Sequence, residues 1–345
     1  MRLPPELRCV AHGESFAVDG GRGDGEHVEQ GAALVCPRGC RAPIIRNVPR
    51  FVDSDDYAAA FGWQWTHFRR SQLDSYTGTS ISRDRLTRCL GGSLSVVRGQ
   101  TVLEAGCGAG RFTEILLEAG ARVVAADLSS AVDANYQNCG DHPDYFVCQA
   151  DIRRLPVAPH AFDIVLCLGV VQHTPQPEET IAALARYLAP GGLLVIDHYS
   201  EDYPVTGPRR VLRDFLLRMP PERARAVALG TTRALLPLHR ALWRQQRGFG
   251  RLRRYLGRVS PGVDYDEAYP ELGARLLTEW AVLDTHDTLT DRYKHLRRPD
   301  QIRDTLVTLG LADVEVNVGG NGVEARARGA GGGAPATLTS TRTAD

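Results

Sequence analysis

"VLEAGCGAGR", residues 102–111, decides the fold. It begins as a short apolar strand and runs into three glycines at alternate positions, Gly106, Gly108 and Gly110. "RFTEILLEAG" then continues as a helix. A strand that turns through glycines into a helix brings backbone N–H groups and a helix N-terminus to one point. Such a turn cradles a nucleotide.

Around this turn, residues 99–200 alternate strand and helix. "TVLEAG", "ARVVAAD", "YFVCQAD", "FDIVLCLG" and "GLLVIDHY" read as buried strands, with helical segments such as "PEETIAALARYLAPGG" between them. The alternation predicts a parallel sheet with helices on both faces. Upstream, residues 1–52 are rich in Gly, Cys and Pro and carry β-like pieces, "AALVC" and "APIIRNVPRFV". Residues 53–98 hold the aromatic helical stretch "YAAAFGWQWTHFRRSQLDSYTG". Residues 201–296 form a helical insertion. The alternation returns over 297–328 with the helix "RPDQIRDTLVTLG" and a hairpin closed by "GGNG". The tail, 329–345, is of low complexity and is expected to be disordered.

Composition excludes several classes. The 345 residues are 43% hydrophobic and 24% charged, with 41 basic against 41 acidic groups. Zero net charge gives no global attraction for nucleic acid or an anionic membrane. No apolar run approaches the ~20 residues that span a bilayer. "MRLPPELRCVAHG" lacks the apolar core of a signal peptide, so a cytoplasmic protein is expected. The eight cysteines are then expected as free thiols or metal ligands. Lys294 is the one lysine, a bias attributed at this level to genome composition rather than to function.

The glycine spacing separates two cofactor classes. A dinucleotide site uses G-x-G-x-x-G. Here the pattern is G-x-G-x-G, with Glu104 two residues before it. A carboxylate there opposes a pyrophosphate but suits a cofactor carrying an amino group and a sulfonium, as S-adenosylmethionine (SAM) does. Asp127, followed by Leu128, ends the second strand, where an acid can bind ribose hydroxyls. Asp151 is placed to accept from the adenine amino group, with Ile152 on the ring. Leu168 closes the fourth strand at the sheet edge where ligands of such folds sit. The competing reading is an α/β domain whose glycines merely allow tight packing.

The run 99–200 resembles the core of class I SAM-dependent methyltransferases. "VLEAGCGAGRF" matches their first motif, "VVAADLS" their ribose-binding acid, "ADIRRLP" their adenine motif and "LAPGGLLVIDHY" their fifth strand. The closing hairpin matches their reversed seventh strand. The resemblance implies an α/β, Rossmann-like seven-stranded sheet with helices on both faces, plus a small N-terminal β-rich module and a helical cap. It implies SAM as cofactor and leaves the acceptor unnamed.

Cys9 and His12 stand as C-x-x-H, and Cys36 and Cys40 as C-x-x-x-C. Four N/S ligands from two loops suit a structural zinc site. The segment resembles zinc-ribbon modules attached to some bacterial methyltransferases, with His12 replacing a cysteine and one extra residue in the second knuckle. Either zinc is bound, or the ribbon is kept without it.

Phe61, Trp65, Phe68 and Gln72 share one helix face. They read either as core packing or as a lid over SAM. Gln64, Trp65 and Arg69 are the candidates for the methionine carboxylate. His173, after the fourth strand, is the candidate base, with His198 and Tyr199 as alternates. Asp284, His286, Asp287, Tyr293 and His295 crowd a polar segment before the last helix, and His286 and Tyr293 are further catalytic candidates. Residues 205–260 hold about 14 arginines against Asp214 and Glu222. That run suits a solvated face, an anionic acceptor, a carrier protein or RNA.

The expected function is methyl transfer to O, N or an electron-rich aromatic carbon of a small, aromatic or anionic acceptor, in bacterial specialised metabolism. Two alternatives stand beside it: an RNA base methyltransferase using the Arg-rich insertion, and a non-catalytic SAM-fold partner protein. A nicotinamide oxidoreductase is disfavoured by Glu104 and the glycine spacing.

Overall fold

The computed structural model describes residues 2–20, 31–140, 142–203, 206–244, 250–320 and 322–331. The N-terminal module is an antiparallel four-stranded sheet: β1 (Ala17–Asp19), β2 (Ala33–Val35), β3 (Arg41–Ile45) and β4 (Val48–Pro49). "APIIRNVPRFV", read as one strand, is a tight hairpin. Arg46 and Asn47 both take left-handed φ, at 52° and 64°, which gives the twist a two-residue β-turn needs.

Helices α1 (Ala59–His67), α2 (Asp74–Thr77) and α3 (Ile81–Cys89) follow. The core then runs β5 (Thr101–Ala105), α4 (Thr113–Glu118), β6 (Arg122–Asp127), α5 (Val132–Cys139), β7 (Tyr145–Gln149), β8 (Phe162–Cys167), α6 (Pro177–Ala185) and β9 (Leu188–Tyr199). The insertion is α7 (Gly207–Leu216), α8 (Pro221–Arg244), α9 (Gly250–Val259) and α10 (Gly273–Thr290). The chain closes with α11 (Pro299–Thr308), β10 (Ala312–Gly319) and β11 (Gly322–Arg328).

The seven-stranded sheet has the order β10-β11-β9-β8-β5-β6-β7. Strands β5 to β9 are parallel, and β11 lies antiparallel between β9 and β10. The expected reversed strand is therefore present. Period-two alternation splits β5 between the sheet's two faces. Leu103 and Ala105 pack with Phe146 and Ile181, and Val102 packs with Ile115 and Leu116. Each buried Val, Leu, Ile or Phe side chain here contributes about 1.5–3 kcal/mol. Strand β5 pairs β6 on one side and β8 on the other, so the crevice for a ligand opens at its C-terminal end.

One other reading is corrected. "PEETIAALARYLAPGG" is helical only to Ala185, and β9 begins at Leu188, because Pro190 and the glycines cannot extend a helix. The polar segment "WAVLDTHDTLTDRYKHL" lies within the helical insertion: through Thr290 it is the last part of α10, packed against α1, α7 and α8. Most of the tail, residues 332–345, lies outside the described residues.

The N-terminal module is fastened to the core. Arg50 forms a buried ion pair with Asp133 and bonds Gln149 at 3.1 Å, and Phe51 N–H donates to the Gln149 carbonyl at 2.8 Å. Arg122 holds Glu6 through two bonds of 2.7 and 2.6 Å.

Candidate functional site

The glycine turn leaves β5 with Gly106 at φ 85°. A Cβ there would stand 2.3 Å from Val170 Cγ2, so glycine is required both by conformation and by the close approach of the loop after β8. Asp127, at the end of β6, accepts from Gly108 N–H at 3.0 Å and from Ser129 N–H and O–H at 2.8 and 2.7 Å. Burial pushes its carboxyl above the ordinary range, and these bonds oppose the shift. Its Oδ2 carries one of these three bonds and keeps capacity for another donor. The Leu128 carbonyl accepts from Gln149 at 2.8 Å, which fixes the loop after β6.

Glu104 is buried beneath the turn and accepts from Thr113 Oγ1 at 2.6 Å. Desolvation raises its carboxyl to about 8. It is a proton-holding group until a cation approaches. Thr113 in turn accepts from Asn135 at 3.1 Å, and Asn135 also holds the Cys107 carbonyl of the turn. Gly110 completes the turn above Asn135 and Cys139.

Helix α1 lies across this crevice. Gly62 meets the loop after β6 so closely that a Cβ would stand 2.5 Å from Ser130 Oγ. The Trp65 indole lies over Gly108. Gln64 is buried, and its Oε1 meets His286 Nδ1 at 3.0 Å, while its Nε2 has no hydrogen-bond partner among the described residues. Arg69 reaches Asn138 at 2.8 Å, and Asn138 also donates to the Ala109 carbonyl of the turn. Trp65 thus faces the glycine turn, Gln64 meets α10 through His286, and Arg69 braces the rim of the turn through Asn138.

At Asp151, expected to meet an adenine, the chain supplies a partner of its own. Asp151 is taken up by Arg153, which bonds both carboxylate oxygens at 2.7 to 3.1 Å. Ile152 is buried in the core cluster, and Leu168 in the other. An adenine contact through Asp151 has to share the carboxylate with Arg153.

His173 follows β8 on a short 3-10 turn. Phe61 of α1 and Tyr199 of β9 each present an edge to its ring, with centroids 5.1 and 5.3 Å away. Its Nδ1 meets the Tyr293 carbonyl at 3.0 Å and Asp291 Oδ2 at 3.3 Å. A carbonyl only accepts, so Nδ1 carries a hydrogen and the neutral ring offers Nε2 as the acceptor. Burial alone would lower the imidazole pKa, but Asp291 and Asp287 outweigh burial and hold it above its ordinary value. Asp291 is fully buried, receives Arg213 Nε of α7 at 2.7 Å and faces Lys294 Nζ at 3.1 Å. Burial would raise its carboxyl, yet Lys294, His173 and Arg213 hold it below the ordinary range. His173, Asp287 and Asp291 lie close enough to share an ion, but Arg213 and Lys294 already balance Asp291.

Asp291, Arg213 and Lys294 were not singled out as site residues from the sequence. Asp287 and Asp291 do stand at i and i+4, the spacing that places two carboxylates on one helix face. Tyr293 meets His173 through its backbone carbonyl, and its ring packs against Tyr57 and His295. His286 points instead to α1, against Trp63 and Gln64, and desolvation, aided by Arg225, pushes it down to about 4. His198 is likewise lowered to about 4 by burial.

The arginine-rich insertion spends several of its charges internally. Arg209 bonds the Gly262 carbonyl, Arg213 holds Asp291, Arg240 holds Asp266, and Arg225 covers the Trp63 ring at 4.6 Å.

At the N-terminus, Cys9, His12, Cys36 and Cys40 converge. The three sulfurs lie 3.6, 3.4 and 3.5 Å from His12 Nδ1. Ligands about 2.1 and 2.3 Å from a tetrahedral zinc stand about 3.6 Å apart, so these four fit that geometry. No helix among the described residues is long and apolar enough to cross a membrane.

Known proteins give a matching picture. A ubiquinone biosynthesis O-methyltransferase of Aromatoleum aromaticum is 37% identical over 111 residues, covering 30% of this chain and 46% of the relative. A malonyl-[acyl-carrier protein] O-methyltransferase of Enterobacter lignolyticus is 32% identical over 153 residues, covering 44% of this chain and 56% of the relative. The chain thus spans about half the length of these curated relatives. Among solved structures, a SAM-dependent methyltransferase of Aquifex aeolicus aligns over 76% of this chain and 93% of its own, at 14% identity and a TM-score of 0.41. Residues 103–196, from β5 through most of β9, match the methyltransferase domain family.

Proposed function

We propose that this protein is a SAM-dependent methyltransferase acting on the oxygen of a small molecule. The observation that carries the reading is the methyltransferase-domain match over residues 103–196, which spans the glycine turn, the Asp127 that bonds it and His173. Asp127 would hold the ribose, the turn and Trp65 would bound the cofactor, and Glu104 would answer its amino group. Bound there, SAM supplies a methyl group on a positively charged sulfur. The chain's own work is orientation, exclusion of water by α1, and acceptance of the acceptor's proton at His173 Nε2. The names of both curated relatives place the methyl on oxygen, which favours O over N or carbon.

The Cys9, His12, Cys36 and Cys40 cluster we read as a structural zinc site in a ribbon-like module. Residues 53–98 act as lid and 201–296 as acceptor cap in this reading. A cytoplasmic setting accords with three cysteines given to zinc and five others kept as thiols. An acceptor of specialised metabolism accords with a cap that is elaborated separately from the core.

Calorimetry with S-adenosylhomocysteine tests the cofactor assignment. Asp127→Ala removes a charged hydrogen-bond acceptor, so affinity should fall by about 1.5–3 kcal/mol, roughly 10- to 150-fold. An unchanged affinity overturns the assignment.

A further inference from the structure

Every basic residue of this chain except one is arginine, and the exception, Lys294, is buried beside the candidate base. Its side chain is 5% exposed. The Nζ lies 3.1 Å from Asp291 Oδ2 and 5.5 and 5.3 Å from the ring centroids of Tyr199 and Tyr203. Those two rings stack on each other at 3.9 Å. No hydrogen bond satisfies the ammonium among the described residues, and the same is true of Asp287 Oδ1. The Asp291 carboxylate balances the charge, but donors of a buried ammonium that remain unmet still cost free energy unless something meets them.

The orphaned atoms are complementary. Lys294 offers donors, Asp287 offers an acceptor, and His173 offers Nε2. A hydroxyl oxygen accepts from the ammonium, and its one hydrogen is donated to either Asp287 Oδ1 or His173 Nε2. An amine can also accept and donate there, but a hydroxyl leaves an oxyanion when its hydrogen is taken, the charge an ammonium favours, and a bare aromatic carbon would leave both orphans unmet.

Resting on the methyltransferase reading above, we infer that Lys294 is a catalytic residue that holds the reacting oxygen, and that the acceptor is an acidic hydroxyl, a phenol or enol, bound against Tyr199 and Tyr203. The ammonium favours the oxyanion that forms as the hydrogen leaves. The proton passes to His173 Nε2. The oxygen's electron pair forms the new O–C bond, and the C–S bond breaks with its pair returning to sulfur, which loses its positive charge. The hydroxyl proton remains on His173 until released to water.

The single lysine makes the test direct. Protein made with 13C,15N-lysine gives one side-chain signal to follow by NMR. With S-adenosylhomocysteine bound, 4-nitrophenol should move that signal and should show more of its phenolate absorbance when bound than free. 4-Nitroanisole, which has no hydroxyl, should do neither. Lys294→Met should weaken 4-nitrophenol binding about tenfold or more, and Lys294→Arg should restore part of it, with S-adenosylhomocysteine binding unchanged in both as the check on folding. If S-adenosylhomocysteine binds while neither 4-nitrophenol nor catechol at millimolar concentration moves the lysine signal, the inference is overturned and the cofactor reading survives. Equal shifts from 4-nitroanisole also overturn it. Failure of S-adenosylhomocysteine to bind overturns both.

Discussion

Replacing Asp291 by Asn keeps the shape of the side chain and removes one charge. The structure says what that charge holds: Arg213 at 2.7 Å with 17% of its side chain exposed, Lys294 at 3.1 Å with 5% exposed, and the His173 ring. Two cations would be left buried against an amide. Breaking a buried ion pair by removing one partner costs about 3–5 kcal/mol. Unfolding entropy of ~2.1 cal/mol/K per residue over 345 residues is ~0.7 kcal/mol/K, so the midpoint should fall by roughly 4–7 °C. The pH dependence gives a second readout. The folded carboxyl is held below its ordinary value, so its contribution is present above about pH 4 and fades as pH falls through the folded value. Thermal unfolding followed by circular dichroism at pH 7 and in acid measures both. The deficit should be full at pH 7 and shrink below pH 4, and Arg213→Met added to Asp291→Asn should cost less than the sum of the two single changes. A loss under about 1 kcal/mol at pH 7, or one that does not shrink in acid, refutes the reasoning.

Gly106→Ala should destabilise by about 2–4 kcal/mol, from left-handed backbone strain plus the collision with Val170, and Val170→Ala should recover part of it in chemical denaturation. Recovery of nothing would mean that the strain alone matters. Glu104 holds its proton to about pH 8 in the folded chain, whereas the unfolded chain releases it near 4.5. Folding therefore binds a proton across that window, and stability should decline as pH rises from about 4.5 to 8. Glu104→Gln should flatten this slope by up to a few kcal/mol in denaturation series, and an unchanged slope would place the effect elsewhere. Elemental analysis should find about one zinc per chain, lost in Cys36→Ser together with thermal stability of the N-terminal module; a metal-free wild type would leave a ribbon held by packing alone.

The glycine turn was legible because it is local. A strand, three glycines and a helix occupy neighbouring residues, and Asp127 closes the next strand, where Gly108 N–H meets it. The cysteine spacing was legible for the same reason, although its two halves lie 24 to 28 residues apart. The surroundings of His173 were not. His173 meets Tyr293 and Asp291 across about 120 residues, a juxtaposition made by the return of the insertion and by no local pattern. Helix α10 is buried on several sides, so its polar residues line internal contacts rather than a solvent stripe, and their partners do not show in its own pattern. Arg153, two residues on from Asp151, folds back onto its carboxylate, a local pairing that any adenine contact there would share.

The insertion leaves the sheet after Tyr199 and returns at Arg297, and the Arg297 N–H donates to the Tyr199 carbonyl at 2.9 Å. Its two ends are one hydrogen bond apart. The seven strands therefore close without it, and the excursion behaves as an exchangeable cassette grafted at a single point. The histidine belongs to the permanent part, and the carboxylate that orients it belongs to the cassette. On the function proposed above, swapping the cassette for another would change the acceptor surface and the carboxylate beside His173 in one event.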